Sequence, residues 1–187
     1  MKIAEMKEVL SKRLKEKRYK HSLSVAVTAG KLAKRYGICV EKAEIAGLLH
    51  DCAREFTVNE MLEQANKRHI IFSEIERHVP ILLHAAIGAD MLEASYGIKD
   101  PDIKQAIRFH TVGGAGMSTL DKIIYLADMI EPGRDFLELA SLRRLAEENL
   151  DKAMLLAFNQ SMQFVLKKNS FIHPDTVIAR NEILLKG

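Results

Sequence analysis

A chain of 187 residues, 48% of them hydrophobic, is long enough for one ordinary domain with a substantial core and is too apolar to be disordered. A formal charge of +3 is too mild to argue for a nucleic-acid binder, although it suits an anionic small ligand. Cys39 and Cys52 lack the short spacing of a thiolate metal site, and no apolar run has the length of a membrane span or the form of a secretory leader, so a soluble, reduced, cytoplasmic protein is expected.

From Glu5 to Arg18, Met6, Val9, Leu10 and Leu14 fall on one face among lysines, which predicts an amphipathic surface helix. The basic excess is concentrated here, from Lys7 to Lys20, and reads as a solvated polar face. His21 then opens a second helix, whose apolar residues Leu23, Val25, Ala26, Ala29, Leu32 and Ala33 run to a C-cap at Gly37. A histidine at the start of such a stretch is either a buried neutral ring or a ligand.

A third helix from about Glu41 ends abruptly in Leu48-Leu49-His50-Asp51. Neighbouring side chains leave a helix about 100° apart, so His50 and Asp51 diverge unless something at the rim lies between them. Imidazole nitrogen and carboxylate oxygen both ligate divalent metals, and an aspartate can bridge two ions. A solvated helix end is the ordinary alternative, and Cys52 beside it reads as a small core residue.

Thr57-Val58-Asn59-Glu60 is a capping box for a helix through Lys67, and His69 and His78 stand in charged, surface-like surroundings. After Pro80, His84 interrupts the small and aliphatic run from Ile81 to Ala89. Asp100-Pro101 starts a helix that ends at His110, followed by a flexible loop with Gly113, Gly114 and Gly116 that lacks the preceding strand of a dinucleotide fingerprint. Ser118, with Asp121, caps the next helix. Within it Asp128 lies among Ile124, Leu126, Ala127 and Ile130, where an unpaired buried carboxylate would cost several kcal/mol. Asp128 therefore needs a metal, water or a cation; Arg134 is near, but Glu131-Pro132-Gly133 breaks the helix first and directs it into a loop. Amphipathic helices follow over Leu137–Leu150 and Asp151–Lys168, then a loop and a Pro174-initiated helix. With no strand alternation and no repeat, the expected fold is an all-α, single-domain helical bundle over residues 1–187.

Separate helices thus each carry an unusual polar group at an apolar end: His21, His50 with Asp51, His84, His110 and Asp128. The succession His, His-Asp, distant Asp resembles the HD-domain phosphohydrolases. The stretches Arg18-Tyr19-Lys20-His21, Leu48-Leu49-His50-Asp51, Leu83-His84, His110-Thr111, Ile123 to Asp128, Ile130 to Asp135 and Ile172-His173-Pro174 are similar to the YqeK family, over almost the whole chain. The resemblance implies an HD-type bundle and symmetrical hydrolysis of diadenosine tetraphosphate to two ADP. It implies a metal held by His21, His50, Asp51 and Asp128, iron first among the transition metals, and a second metal or a phosphate contact at His84 and His110. The loop after His110 reads Thr111-Val112-Gly113-Gly114 where the family usually has Thr-Thr-Gly-Arg, a departure that bears on phosphate affinity and substrate choice.

The expected chemistry is attack of metal-bound hydroxide on phosphorus, since a metal lowers the pKa of water from about 16 towards 7. His50, Asp51, His84, His110 and Asp128 form the expected catalytic set. Guanidinium binds phosphate bidentately, which makes Arg18, Arg54, Arg134 and Arg180 candidates for the substrate, joined by His84, His110, Thr111 and His173. The expected partner is a dinucleoside polyphosphate or an ADP-like nucleotide, with neither nucleic acid nor membrane, and a homodimer is compatible with the sequence. A nucleotide-sensing HD module without catalysis and a nucleotide monophosphate phosphatase are the competing readings.

Overall fold

Apolar spacing and capping residues divide the chain into eleven α-helices, with no strand among the described residues 1–186 of the computed structural model. Gly187, the last residue of the expected domain, lies outside them. Helix α1 (Ile3–Arg13) buries Met6 and Leu10, and α2 (Glu16–Arg35) buries Val25, Ala26, Ala29, Leu32 and Ala33. The break between them falls earlier than the sequence suggested. Leu14 and Lys15 are extended, which keeps Leu14 in the core while the chain changes direction, and His21 therefore sits inside α2 rather than at its start. Gly37, at φ +68°, ends α2 as expected.

Helix α3 (Val40–Leu49) is apolar nearly all round, and it is accordingly the central helix, packed chiefly against α2. A Cβ on Gly47 would stand 3.0 Å from the Ala26 Cα and 3.1 Å from the Val25 carbonyl oxygen, so a glycine permits this approach. A 3₁₀ turn (Cys52–Glu55) follows, then α4 (Val58–Lys67), started by the Thr57–Glu60 capping box, and the short α5 (Glu74–His78). His69 and His78 are exposed. A second 3₁₀ turn at Pro80–Leu82 delivers the chain into α6 (Leu83–Tyr96).

Asp100 caps α7 (Pro101–Phe109) by accepting from the backbone N–H groups of Asp102 and Ile103, and Ser118 with Asp121 boxes the start of α8 (Thr119–Ile130). Helices α9 (Leu139–Glu148), α10 (Leu150–Lys167) and α11 (Pro174–Lys186) complete the fold. The α9–α10 junction lies a residue or two from the expected one, because Asn149, whose side chain accepts from the Lys152 N–H, is the cap.

Two apolar clusters result. The larger joins α1, α2, α3 and α7 to α11 with Ala89, Leu92 and Tyr96 of α6, and the smaller gathers Ala53, Met61, Ala65, Leu83, Ile87 and Met91 from α4, α6 and the first 3₁₀ turn. The ends of α3 and α7 and the first turn of α6 meet α2 and α8 where these clusters adjoin. No described helix is long and apolar enough to cross a membrane.

Candidate metal centre

His50 and His110 are the residues on which α3 and α7 end, so their rings fold back over the last turn. Each Nδ1 donates to the carbonyl three residues earlier, Gly47 for His50 and Ile107 for His110, both at 2.7 Å. His84 does the same to Ile81 from the first turn of α6. A carbonyl only accepts, so Nδ1 carries the proton in all three rings and a neutral ring presents a bare Nε2 lone pair. His21, on α2, directs its Nδ1 at the Glu131 carboxylate, 3.2 Å away.

All four Nε2 atoms converge on two aspartates. His21 Nε2 is 2.9 Å from Asp128 Oδ1, and His50 Nε2 is 3.5 Å from Asp51 Oδ2. On the other side of Asp51, its Oδ1 is 3.3 Å from His84 Nε2 and 3.8 Å from His110 Nε2, and those two nitrogens are 3.1 Å apart. Lone pairs facing carboxylate oxygens and one another repel unless a proton or a cation stands between them. The buried Nε2 atoms of His21 and His50 make no hydrogen bond. The donor set therefore fits a divalent metal on chemical grounds, with each imidazole oriented by an acceptor behind it.

Three groups of ligand atoms lie within 4.8 Å of one another: His21, His50 and Asp51; His50, His110 and Asp128; and Asp51, His84 and His110. Asp51 presents Oδ2 to the side of His21 and His50, and Oδ1 to the side of His84 and His110, the arrangement of a carboxylate able to bridge two ions.

The electrostatics follow from burial opposed by close charges. Burial alone would raise the Asp51 carboxyl, but His50 and His84 overcome it and hold it well below the usual carboxylate range. Asp128 is likewise lowered against burial, by His21, His50 and Arg134. Burial pulls the His50 pKa down, yet Asp51 and Asp128 outweigh it and raise it. His110 is pushed down to about 3 by burial and by the neighbouring His84 and His50. Cys52, which touches the site only through the chain, has its thiol pushed up to about 12 by burial.

Of the expected phosphate contacts, Arg18 reaches Asp51 Oδ2 at 2.6 Å. Arg134 pairs with the Asp128 carboxylate and donates through Nε to the Asp128 carbonyl at 2.8 Å. The turn at Glu131-Pro132-Gly133 thus bends Arg134 back towards α8 instead of leading it away, because the Arg134 N–H closes the turn on the Glu131 carbonyl. Arg54 is half-buried and feels Arg18, Asp51 and Asp128, with burial and then Arg18 lowering its pKa. The Thr111 hydroxyl lies 3.3 Å from His84 Nε2 and 3.1 Å from His110 Nε2.

The tail is placed differently. His173 Nδ1 accepts from the Asp175 N–H, leaving a buried Nε2 without a partner, while Thr176 donates to the Val112 carbonyl and ties α11 to the loop after His110. The Arg180 guanidinium is held by Asn159 and Asn181 rather than by the histidine–aspartate cluster.

Sequence reasoning missed Glu131. Its carboxylate, buried at the end of α8, accepts from the Gly133 N–H at 2.6 Å and faces His21. Burial raises its pKa, and these partners together more than reverse the effect. The signal was the one used for Asp128, an acid directly after the apolar Ile130. A cleft of about 680 Å³ opens beside His21, and Lys15, Lys17 and Lys20, exposed as the sequence suggested, line it.

A family model for the HD domain matches residues 18–133, which contain every member of the cluster. The chain is 40% identical over 172 residues to the symmetrical bis(5'-nucleosyl)-tetraphosphatase of Bacillus subtilis (strain 168), with 92% of each chain aligned. It is 41% identical over 183 residues to the protein of the same name from Halalkalibacterium halodurans, covering 96% of this chain and 95% of the relative. A crystal structure from Clostridium acetobutylicum, described as an HD superfamily hydrolase involved in NAD metabolism, superposes with a TM-score of 0.96 at 40% identity, covering 100% of this chain and 99% of that one.

Proposed function

Because the chain belongs to the HD domain family, and within it to the symmetrical bis(5'-nucleosyl)-tetraphosphatases, we propose that it is a metal-dependent enzyme that hydrolyses diadenosine tetraphosphate to two ADP. The observation that carries this reading is the convergence of four imidazole Nε2 atoms on Asp51 and Asp128, each imidazole fixed from behind. A divalent metal supplies Lewis-acid charge neutralisation there and makes water acidic enough to act as a nucleophile near neutral pH.

His21, His50, Asp51 and Asp128 are the ligands of the first ion, with iron as the metal we favour, and residues 1–187 work as one domain in the cytoplasm. Glu131 keeps His21 turned so that Nε2 faces the site. His84 and His110 each donate Nδ1–H to a backbone carbonyl, which leaves Nε2 as the ring atom turned to the site. His84 and His110, facing Asp51 Oδ1, would hold a second ion or a phosphate oxygen of the substrate. The Thr111 hydroxyl is the donor on that side. Arg18, Arg54 and Arg134 meet phosphate oxygens and the charge of the departing ADP, since a guanidinium holds such oxygens through paired hydrogen bonds.

The test is anaerobic purification with metal analysis, followed by a product assay on diadenosine tetraphosphate. Stoichiometric metal and ADP as the sole product are expected. Orthophosphate from nucleoside monophosphates would favour the phosphatase reading, and tight nucleotide binding without turnover would favour a sensing module.

A further inference from the structure

The cleft beside His21 is walled by α2 on one side and by the turn after α8 on the other, so His21 and Arg134 belong both to it and to the metal centre. Its charge is one-sided. Lys15, Lys17, Arg18, Lys20 and Arg134 face a single carboxylate, Glu131, whose oxygens are already engaged by His21 and the Gly133 N–H. Lys17, Lys20, His21 and Ser24 recur at helical spacing on one face of α2. Lys15 and Lys17 form no ion pair among the described residues, and Lys20 pairs only with Glu16 one turn away, in an exposed contact of little weight.

Asp51 separates the two sides of the centre. Its Oδ1 faces His84 and His110 and its Oδ2 faces Arg18 and His21, so the lysine-lined cleft opens on the Oδ2 side of this carboxylate. A volume of about 680 Å³ lies within the range of sites that enclose a small organic ligand. Resting on the phosphohydrolase reading above, we propose that Lys15, Lys17 and Lys20 bind the second nucleoside diphosphate half of the substrate, the half that leaves as the central anhydride is broken. The lysines favour a dinucleotide by holding the phosphates that a single nucleotide lacks.

The experiment compares two triple variants of the full metal-loaded chain. In Lys15→Ala/Lys17→Ala/Lys20→Ala, the KM for diadenosine tetraphosphate is expected to rise about tenfold or more, with kcat within about twofold, because these contacts exist before as well as during reaction. Metal content is expected to be unchanged, and the fall of kcat/KM with added salt to become shallower, since three screened charges are gone. The control, Lys7→Ala/Lys31→Ala/Lys34→Ala, removes the same charge from exposed positions outside the cleft and should leave KM unaltered. Equal shifts in both variants, or an unchanged KM in the first, would overturn the assignment while ADP production stands. If the unsubstituted protein yields no ADP, the phosphohydrolase reading falls and takes this one with it.

Discussion

Glu131 does for His21 what backbone carbonyls do for the other three histidines, but with a formal charge and from another helix. Replacing it by alanine is expected to weaken metal binding by roughly 10- to 100-fold, the usual cost of removing a ligand's supporting acceptor, with glutamine in between because its oxygen still accepts. Metal titration on variants of normal helical circular dichroism measures this, and unchanged affinity in both would show that Glu131 only closes the turn. The sequence made His50, Asp51 and Asp128 visible because each polar group stands where an apolar helix face has no use for it. Glu131 was hidden by its neighbours, since a glutamate ahead of Pro132-Gly133 already has an ordinary role as a helix end. Arg134 was misread for a related reason: whether a turn carries the chain away or folds it back is decided by one backbone hydrogen bond, which composition does not reveal.

At the scale of elements, the capped helices were the legible ones. Thr57, Asp100 and Ser118 each start a helix where expected, because a capping side chain and its partner sit at fixed offsets. The break between α1 and α2 carries no glycine, proline or short polar cap, only Leu14 and Lys15, so its position depends on tertiary packing of Leu14. Packing also explains Gly47. Alanine there would press on backbone atoms of α2 that cannot yield unless α3 moves, an overpacking expected to cost about 1–3 kcal/mol. The Gly47 carbonyl is the acceptor that orients His50, so thermal stability and metal affinity should fall together in Gly47→Ala. A loss of stability with metal affinity intact would mean that His50 is oriented by something else.

Across the whole molecule, the candidate ligands stand where the two apolar clusters meet. His84 comes from α6, which gives Leu83, Ile87 and Met91 to the smaller cluster and Ala89, Leu92 and Tyr96 to the larger, while His21, His50, His110 and Asp128 come from helices of the larger one. A metal that binds only the folded arrangement stabilises it by mass action, by about 2.7 kcal/mol at a hundredfold excess over Kd. Melting is therefore expected at a higher temperature with metal in excess and at a lower one after chelation. Equal melting temperatures under both conditions would mean that no metal discriminates folded from unfolded chain. The all-α architecture was readable from periodicity, whereas the junction of two clusters at the site was not, because it depends on how helices far apart in sequence pack.

Asp51 turns one carboxylate towards both sides of the centre, and this makes it a shared vertex with no understudy. His50 and His110 also each serve two of the three ligand groups. A change at Asp51 takes a carboxylate from both sides of the cluster and frees Arg18 from its partner, whereas a change at His50 or His110 takes one imidazole. Asp51 is in that sense a keystone, a group whose loss opens both sides at once.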